Sequence, residues 1–535
     1  MERKGKIALI LILCLLILGA AVFFLCSRFL LIGGKFYSVN AQTLDFSDVR
    51  LESVDKLFRL NQPQQLDLRG TGITTADYTA LRQAYPQCDI TWEVPFQGSY
   101  LPADASTVAV KAYTEADLEA LAFFPNLQTI DATGCADATM IARLQTQFPQ
   151  CTVQYRLTWA DTQADETTTR LVLSSADHIA EALQAMPQLE EVDATGCTDT
   201  AALRALQQQY PDCQLIYQLT LGDAVLRTDA QSLDLSSATA AELAQVLPCF
   251  YDLQSVTLRE PMDDYRELPA LEQQYPNIAF TYAFDLLGVT VTNRDTLIDL
   301  SGIPMENTET LEAALPYFHN LEKVEMTGCG ISNEDMAALN QRHPDTLFVW
   351  TVKIGRIKVK TDVTWFMPNQ YYVGIHDDDT ENLKYLTELI CLDLGHQDIS
   401  RTDYLAYMTK LQYLVIVDTE ISDISGCANM PDLKFVELYL NNVTDFSPLL
   451  QCKKLEDLNI GYCHPDDWTI FCEMKQLTRL YWSGMHYSER QQALREALPN
   501  TILSFDSYSS TGDGWRESPN YFAMRDLLGM PYMTY

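Results

Sequence analysis

A leucine recurs at every twenty-second residue in the C-terminal part of the chain, and this period constrains the fold more than any other feature. A unit of this length can form one strand, a turn and a short helix, but it cannot bury its own apolar face. Stacked units bury the leucines between neighbours. The spacing therefore predicts an array of repeats over residues 366–505. The leucines are Leu389, Leu411, Leu433, Leu455 and Leu477.

The segments that begin at these leucines share a sequence pattern. They read LICLDLGHQDI, LQYLVIVDTEI, LKFVELYLNNV, LEDLNIGYCHP and LTRLYWSGMHY. They follow L-x-x-L-x-L-x-x-N/C-x-L, loosely in the last two. This pattern resembles the leucine-rich-repeat family, in the short form of bacterial internalin-like surface proteins. The resemblance implies an α/β solenoid with a parallel sheet on its concave side and helices or turns outside.

A longer unit recurs before this array, over residues 41–365. Its first strand returns every 62–65 residues, and a second strand, two helical stretches and an alternating stretch follow each return. We interpret each unit as two irregular leucine-rich repeats with an added strand or hairpin. The alternating stretches are led by Trp92, Tyr155, Tyr217, Tyr282 and Trp350.

An apolar stretch precedes the repeats. Residues 7–26 read IALILILCLLILGAAVFFLC, carry no charge and match the length of a helix that crosses a bilayer. Basic residues lie within residues 1–6, which we expect to be cytoplasmic. We predict a transmembrane anchor at 7–27, with a cleaved signal segment as the alternative. The expected location is the cell membrane, single-pass with the C-terminal domain outside, or secreted if the segment is cleaved.

The predicted fold class is therefore α/β: a leucine-rich-repeat solenoid with a parallel concave sheet, preceded by one transmembrane helix. Residues 506–535 follow the last repeat. They are rich in Ser, Gly and Tyr and then read NYFAMRDLLGM. We predict that this tail forms a loop and a short helix that cap the array.

The charge balance limits the classes of partner. The chain has 37 Lys and Arg against 72 Asp and Glu, a net charge of −35, which argues against nucleic acid. The sequence contains no H-E-x-x-H, G-x-S-x-G, P-loop or G-x-G-x-x-G motif, and no acidic run has calcium-loop spacing. We expect no enzyme activity, no cofactor and no metal site.

Alternation within the 22-residue repeats predicts which side chains form a binding face. The leucines point inward, so the residues between them point to the concave face. There they form an aromatic and acidic stripe suited to a protein or glycan ligand. The alternative is that neighbours or the tail cover these side chains. The candidate residues are Tyr413, Val415, Phe435, Glu437, Tyr439, Asp457, Asn459, Arg479 and Tyr481.

The function that follows is binding. By resemblance the chain is a bacterial protein displayed at the cell surface, anchored in the membrane, that recognises an unidentified protein or glycan. The family fixes no residue-level function here. The alternative is a structural or self-assembling envelope component without a dedicated ligand face, with contacts through its ends, edges or tail.

Two cysteine pairs are candidates for disulfides, since export would permit them. Cys135 and Cys151 are 16 residues apart in one long unit, and Cys197 and Cys213 have the same spacing in the next. Cys88, in an equivalent place, has no such partner. The alternative is therefore that each position accepts a small buried residue.

Overall fold

The structure is a computed structural model that describes residues 11–19, 27–112, 114–160, 162–371, 373–505, 509 and 511–533. At the N-terminal end, helix α1 is described over residues 11–19. A hairpin of β1 (Phe29–Ile32) and β2 (Lys35–Ser38) follows it.

The predicted transmembrane helix over residues 7–27 is contradicted. Among the described residues, no helix is both long enough and apolar enough to cross a membrane. The single-pass location that depended on this helix is contradicted by the same finding. Residues 1–10 and 20–26 lie outside the described residues.

Short parallel strands followed by an antiparallel hairpin form each long unit. Residues of neighbouring strands pair in register, so that Leu44 lies beside Leu66 and Leu66 beside Ile90. The bounds in the first unit are β3 (Thr43–Asp45), β4 (Gln65–Asp67), α2 (Thr75–Ala84), β5 (Asp89–Thr91), β6 (Glu93–Phe96) and β7 (Ser99–Pro102).

The second and third units have the same order, except that an α-helix replaces the 3-10 turn Leu57–Arg59 that lies between β3 and β4. The second consists of β8 (Thr107–Ala109), α3 (Glu115–Leu121), β9 (Thr129–Ala132), α4 (Ala138–Gln147), β10 (Thr152–Trp159) and β11 (Thr162–Asp165). The third consists of β12 (Arg170–Val172), α5 (Ala176–Ala185), β13 (Glu191–Asp193), α6 (Thr200–Gln209), β14 (Gln214–Ile216), β15 (Gln218–Leu221) and β16 (Ala224–Arg227).

The fourth and fifth units complete the first repeat type. The fourth consists of β17 (Ser232–Leu235), α7 (Ala240–Val246), β18 (Ser255–Leu258), α8 (Leu268–Gln274), β19 (Ala279–Leu286) and β20 (Val289–Thr292). The fifth consists of β21 (Leu297–Asp299), α9 (Glu309–Ala314), β22 (Lys323–Glu325), α10 (Asn333–Arg342), β23 (Leu347–Val349), β24 (Thr351–Ile354) and β25 (Ile357–Lys360).

Local sequence sets the ends of the second helix in each unit. α2 begins with a capping box: the Thr74 hydroxyl accepts from the Asp77 N–H at 3.1 Å, and the Asp77 carboxylate accepts from the Thr74 N–H at 3.0 Å. The helix ends at Ala84, and its C-cap Tyr85 is not helical because a residue that precedes proline, here Pro86, disfavours the helical conformation. Helices α4, α6, α8 and α10 likewise have a C-cap residue that directly precedes a proline.

The aromatic residues that lead the hairpins are all buried. In the later units a polar side chain from the far end of the hairpin accepts the backbone N–H of the aromatic residue. Thr228 Oγ1 accepts from Tyr217 at 3.0 Å, and Asn293 Oδ1 accepts from Tyr282 at 3.0 Å. These bonds satisfy N–H groups that would otherwise be buried without a partner.

The 22-residue repeats form one parallel sheet of seven strands. Leu392, Leu414, Val436, Leu458 and Leu480 lie side by side in its register, and all five are fully buried. This confirms the predicted leucine-rich-repeat fold with a parallel sheet. The strands are β26 (Trp365–Phe366), β27 (Cys391–Asp393), β28 (Tyr413–Val415), β29 (Phe435–Glu437), β30 (Asp457–Asn459), β31 (Arg479–Tyr481) and β32 (Ile502–Ser504).

Short 3-10 turns, rather than α-helices, connect most of these strands. They cover Asp377–Tyr385, Asp403–Tyr407, Ser425–Asn429, Ser447–Gln451 and Thr469–Glu473. Helix α11 (Ser488–Ala497) precedes β32, and α12 (Pro519–Leu527) lies in the tail.

A buried polar column links successive repeats beyond the strand ends. The Asn441 amide donates to the carbonyls of Ile416 at 2.6 Å and Leu438 at 2.9 Å, and its Oδ1 accepts from the Thr419 hydroxyl at 2.6 Å. One repeat further, the Cys463 thiol donates to the Leu438 carbonyl at 3.1 Å. These bonds satisfy carbonyls at the turns that the parallel ladder leaves open.

The chain divides into two compact units, residues 1–233 with 241–254 and residues 234–240 with 255–535. The change in repeat type lies elsewhere, between β25 and β26, near the predicted boundary at residue 365. The second compact unit contains the seven-stranded sheet and α12.

Candidate functional site

The nine residues predicted to form a binding face lie together on the seven-stranded sheet. The strand register aligns them in two rows, and Tyr439 lies just beyond the end of β29. One row is Tyr413, Phe435, Asp457 and Arg479; the other is Val415, Glu437, Asn459 and Tyr481. We call these nine residues the acidic-aromatic face. Eight of them are buried, and Arg479 is partly buried.

The tail, residues 511–533, covers this face. Its residues Trp515, Tyr521, Met524 and Leu528 share one buried cluster with side chains of the sheet. The sheet contributes Met367, Cys391, Tyr413, Val415, Val417, Phe435, Tyr439 and Tyr481 to that cluster. The tail was predicted to cap the last repeat, but it also extends back to the first strands of the array.

Trp515 is the central side chain of the tail, and it is 0% exposed. Its indole ring lies 5.1 Å from the ring of Phe435 and 4.9 Å from the ring of Tyr481, centroid to centroid. The indole Nε1 donates to Oε1 of Glu437 at 2.5 Å. The Tyr481 hydroxyl donates to the Asp513 carbonyl. Trp515 therefore has both an apolar pocket and a buried acceptor.

Asp457 holds the start of α12. Its carboxylate accepts from the Ser518 hydroxyl and from the Asn520 amide, the latter at 2.9 Å. Ser518 Oγ in turn accepts the Asn520 N–H at 3.1 Å, so it caps the helix while it binds the face. From the sheet, Thr478 donates to Asp457 at 2.9 Å and Arg479 at 3.3 Å.

Burial governs the electrostatics of the face. It raises the pKa of Glu437 to about 7, while the hydrogen bond from Trp515 lowers it and nearby Asp393 raises it further. Burial also raises the pKa of Asp393, while the bond from the Gly395 N–H and the charge of Arg525 oppose that shift. Both carboxyls are thus less readily ionised than ordinary acidic side chains.

Sequence reasoning missed several residues of this site. Asp393 lies beside Val415 in the strand register but was not among the candidate residues. Trp515, Ser518 and Asn520 lie in the tail, outside the repeat period that identified the face. The available signal was local: a tryptophan in a Gly- and Ser-rich stretch, followed by Ser518-Pro519, which is a typical helix start.

The two candidate cysteine pairs are not bonded in this structure. Cys135, Cys151, Cys197 and Cys213 are all free cysteines. The Cys151 thiol instead donates to the Leu127 carbonyl at 3.3 Å, and the other three side chains are buried. Burial raises the pKa of Cys213 to about 11, which disfavours the thiolate.

A second concave feature lies around Trp350, Tyr385 and Tyr407, with a volume of about 450 Å³. Two of its polar groups have partners within the protein: Trp350 Nε1 donates to Asn333 at 2.9 Å, and the Tyr385 hydroxyl donates to Glu334 at 2.7 Å. The described part of the chain contains no group of three or more His, Cys, Asp or Glu side chains arranged to hold a metal ion.

Comparisons with known proteins found matches among solved structures. No protein-family model matches the chain, and no curated protein matches it either. The solved structures that it resembles are leucine-rich-repeat proteins, internalins among them. An internalin from Listeria monocytogenes is 14% identical, with a TM-score of 0.22, over 77% of this chain and 84% of the internalin.

Two further structural neighbours come from organisms other than Listeria. A leucine-rich-repeat protein from Leptospira interrogans is 14% identical, with a TM-score of 0.22, over 87% of this chain and 96% of that protein. The ectodomain of a plant membrane receptor kinase from Arabidopsis thaliana is 13% identical, with a TM-score of 0.21, over 89% of this chain and 50% of that chain. Sequence identities and TM-scores this low give no information about the ligand of this chain.

Proposed function

We propose that this chain is a ligand-binding leucine-rich-repeat protein and that the acidic-aromatic face recognises a peptide segment. One observation carries the proposal: an ordered peptide, the tail, already occupies the face. Trp515 enters an aromatic pocket and donates to Glu437, and Ser518 and Asn520 donate to Asp457. A large aromatic anchor inside a pocket with satisfied polar groups is typical of protein–protein recognition.

The polar chemistry favours a peptide over a glycan. Glu437 accepts an indole N–H, and Asp457 accepts donors that also cap a helix. A tryptophan and a capped helix start are features of a peptide. The face is also continuous across β28 to β31, which matches an extended segment followed by a helix.

Exchange of the tail tests this proposal. A protease site inserted within residues 506–510 of the full chain allows the tail to be cut from the folded repeats. A fluorescent synthetic peptide of residues 511–533 is then added, and its anisotropy is followed. We expect saturable binding to the cut protein, reduced at least tenfold by Phe435→Ala, which removes one wall of the Trp515 pocket.

Tyr407→Ala supplies the matched control, because Tyr407 is exposed and lies outside the face. It should leave the affinity of the peptide unchanged. Failure of the peptide to bind cut protein that remains folded would contradict peptide recognition by this face. So would equal effects of the two substitutions. Binding of a glycan panel to the cut protein without binding of the peptide would assign the face to glycans instead.

A further inference from the structure

We infer that the partner of the acidic-aromatic face is a basic, aromatic peptide that displaces the tail. This inference rests on the proposed function and adds the chemical class of the partner. It starts from two buried acids of the face, Glu437 and Asp457, and from the neighbouring, partly buried Asp393. Asp393, Glu437 and Asp457 lie on three of four successive strands, all on the side that the tail covers.

The tail satisfies these three acids unequally. Asp457 accepts two donors from the tail, and Glu437 accepts one neutral donor, the Trp515 indole. In the part of the chain that the structure describes, no tail side chain bonds to Asp393, whose carboxylate accepts from the Gly395 N–H at 3.0 Å. Strand β27, which pairs with the first strand of the face, therefore offers an acidic side chain that the tail leaves without a direct cation.

Two tail arginines act on these acids through their charge, and one of them, Arg516, acts on Glu437. Arg525 acts on Asp393 and on Glu437 through its charge, but its guanidinium donates to the Pro531 carbonyl at 3.0 and 2.6 Å. The tail also contains two arginines against three acidic residues, Asp513, Glu517 and Asp526. The segment that covers the acidic face therefore itself carries a small net negative charge.

Buried carboxylates argue against a permanent cover. Desolvation of an acid is costly unless a cation or several donors compensate, and an apolar side chain at the same place would hold a fixed tail more strongly. A peptide that pairs an arginine or lysine with Asp393 and Glu437 would recover that cost. Such a peptide would retain the aromatic anchor and compete with the tail.

The experiment uses the full chain. A fluorescent synthetic peptide with the sequence of residues 511–530 is titrated into the natural chain and into a Trp515→Ala chain, whose own tail lacks its anchor. We expect at least tenfold tighter binding to the Trp515→Ala chain, because a loosened competitor leaves the face free more often. If Trp515→Ala does not fold, the Ser518→Ala, Asn520→Ala chain provides the same comparison.

A second peptide, in which Arg516 and Arg525 are replaced by alanine, tests the basic character. We expect it to bind the loosened chain at least tenfold more weakly than the first peptide. The difference should disappear when the chain also contains Asp393→Asn and Glu437→Gln, since the acidic charges on which the two arginines act are then absent. Asp299→Asn is the matched control. Asp299 accepts the N–H of Ser301, two residues further on, just as Asp393 accepts the N–H of Gly395. Asp299, however, lies on another sheet and far from the tail in sequence.

The outcomes separate this inference from the proposed function. Equal binding of the two peptides, or a difference that persists in the Asp393→Asn, Glu437→Gln chain, overturns the basic partner and leaves peptide recognition standing. Equal binding to the natural and loosened chains overturns competition with the tail. Absence of binding by either peptide to a folded, loosened chain contradicts both.

Discussion

The indole N–H of Trp515 donates to the carboxylate of Glu437 across 78 residues of sequence. Neither group is exposed to solvent beyond a few per cent. The bond joins the tail to the middle of the seven-stranded sheet. It therefore links the occupancy of the face to the protonation of one carboxyl group.

This link predicts a pH dependence. The pKa of Glu437 is raised from 4.5 in its ordinary state to about 7 in the folded chain. The folded state thus binds a proton that the unfolded state releases between these values, so the stabilisation is complete below pH 4.5 and is lost as the pH rises to 7. The contribution is roughly 2–3 kcal/mol between pH 5 and pH 8.

Glu437→Gln isolates this effect, since glutamine can still accept the Trp515 N–H and does not titrate. The free energy of unfolding of the variant, relative to the natural chain, should rise by that amount from pH 5 to pH 8. Urea denaturation of both proteins at several pH values measures it. Parallel curves for the two proteins would show that the Glu437 carboxyl does not titrate in this range.

Ser518 is predicted to stabilise the docked tail through two bonds at once. Ser518→Ala removes the cap of α12 and one donor to Asp457, a loss of about 1–3 kcal/mol. Ser332→Ala provides a control, because the Ser332 hydroxyl caps α10 by accepting the Asp335 N–H at 3.1 Å and has no role in the tail. Thermal unfolding should show a larger loss of stability for Ser518→Ala than for Ser332→Ala. Equal losses would mean that the contact with Asp457 adds nothing.

The leucine register predicts unequal costs for two leucines in adjacent repeats. Leu414 is fully buried, whereas Leu440 is 45% exposed. Leu414→Ala should lower the free energy of unfolding by about 2–5 kcal/mol through the cavity it leaves. Leu440→Ala should change it by less than about 0.5 kcal/mol. Similar losses from both substitutions, measured by urea denaturation, would contradict the register.

The cysteines are expected to be reduced. Alkylation of denatured protein without a reductant, followed by mass spectrometry, should find Cys135, Cys151, Cys197 and Cys213 modified as free thiols. Addition of a reductant should leave the melting temperature unchanged, because none of these four thiols is in a disulfide in the structure. A recovered peptide pair that joins Cys135 to Cys151 would contradict this expectation.

The period of the sequence was sufficient to predict the stacking. A fixed spacing of 22 residues places Leu414 beside Leu392 and Val436, and alternation then places Tyr413 and Phe435 on the opposite side of the sheet. The candidate face was identified in this way. The tail that covers this face could not be identified in the same way, because the pairing of Trp515 with Glu437 is long-range and follows no period.

Two other predictions were based on features that do not determine structure. The uncharged run at residues 7–26 measures apolar character, and no helix in the described part of the chain is long and apolar enough to cross a membrane. The equal spacing of the cysteine pairs reflects equivalent places in the repeats, whereas a disulfide also requires the two thiols to face each other. The Cys151 thiol faces the Leu127 carbonyl.

Cys391 provides the most direct test of the central claim that the tail occupies the acidic-aromatic face. Its side chain is fully buried in the cluster that contains Met524 and Leu528 of the tail. The rate of its reaction with a maleimide, followed by mass spectrometry, should be very low in the natural chain and rise at least tenfold in Trp515→Ala. Cys427 and Cys452, also fully buried in the chain but outside this cluster, should stay protected in both. A Cys391 that reacts equally fast in both proteins would contradict the account.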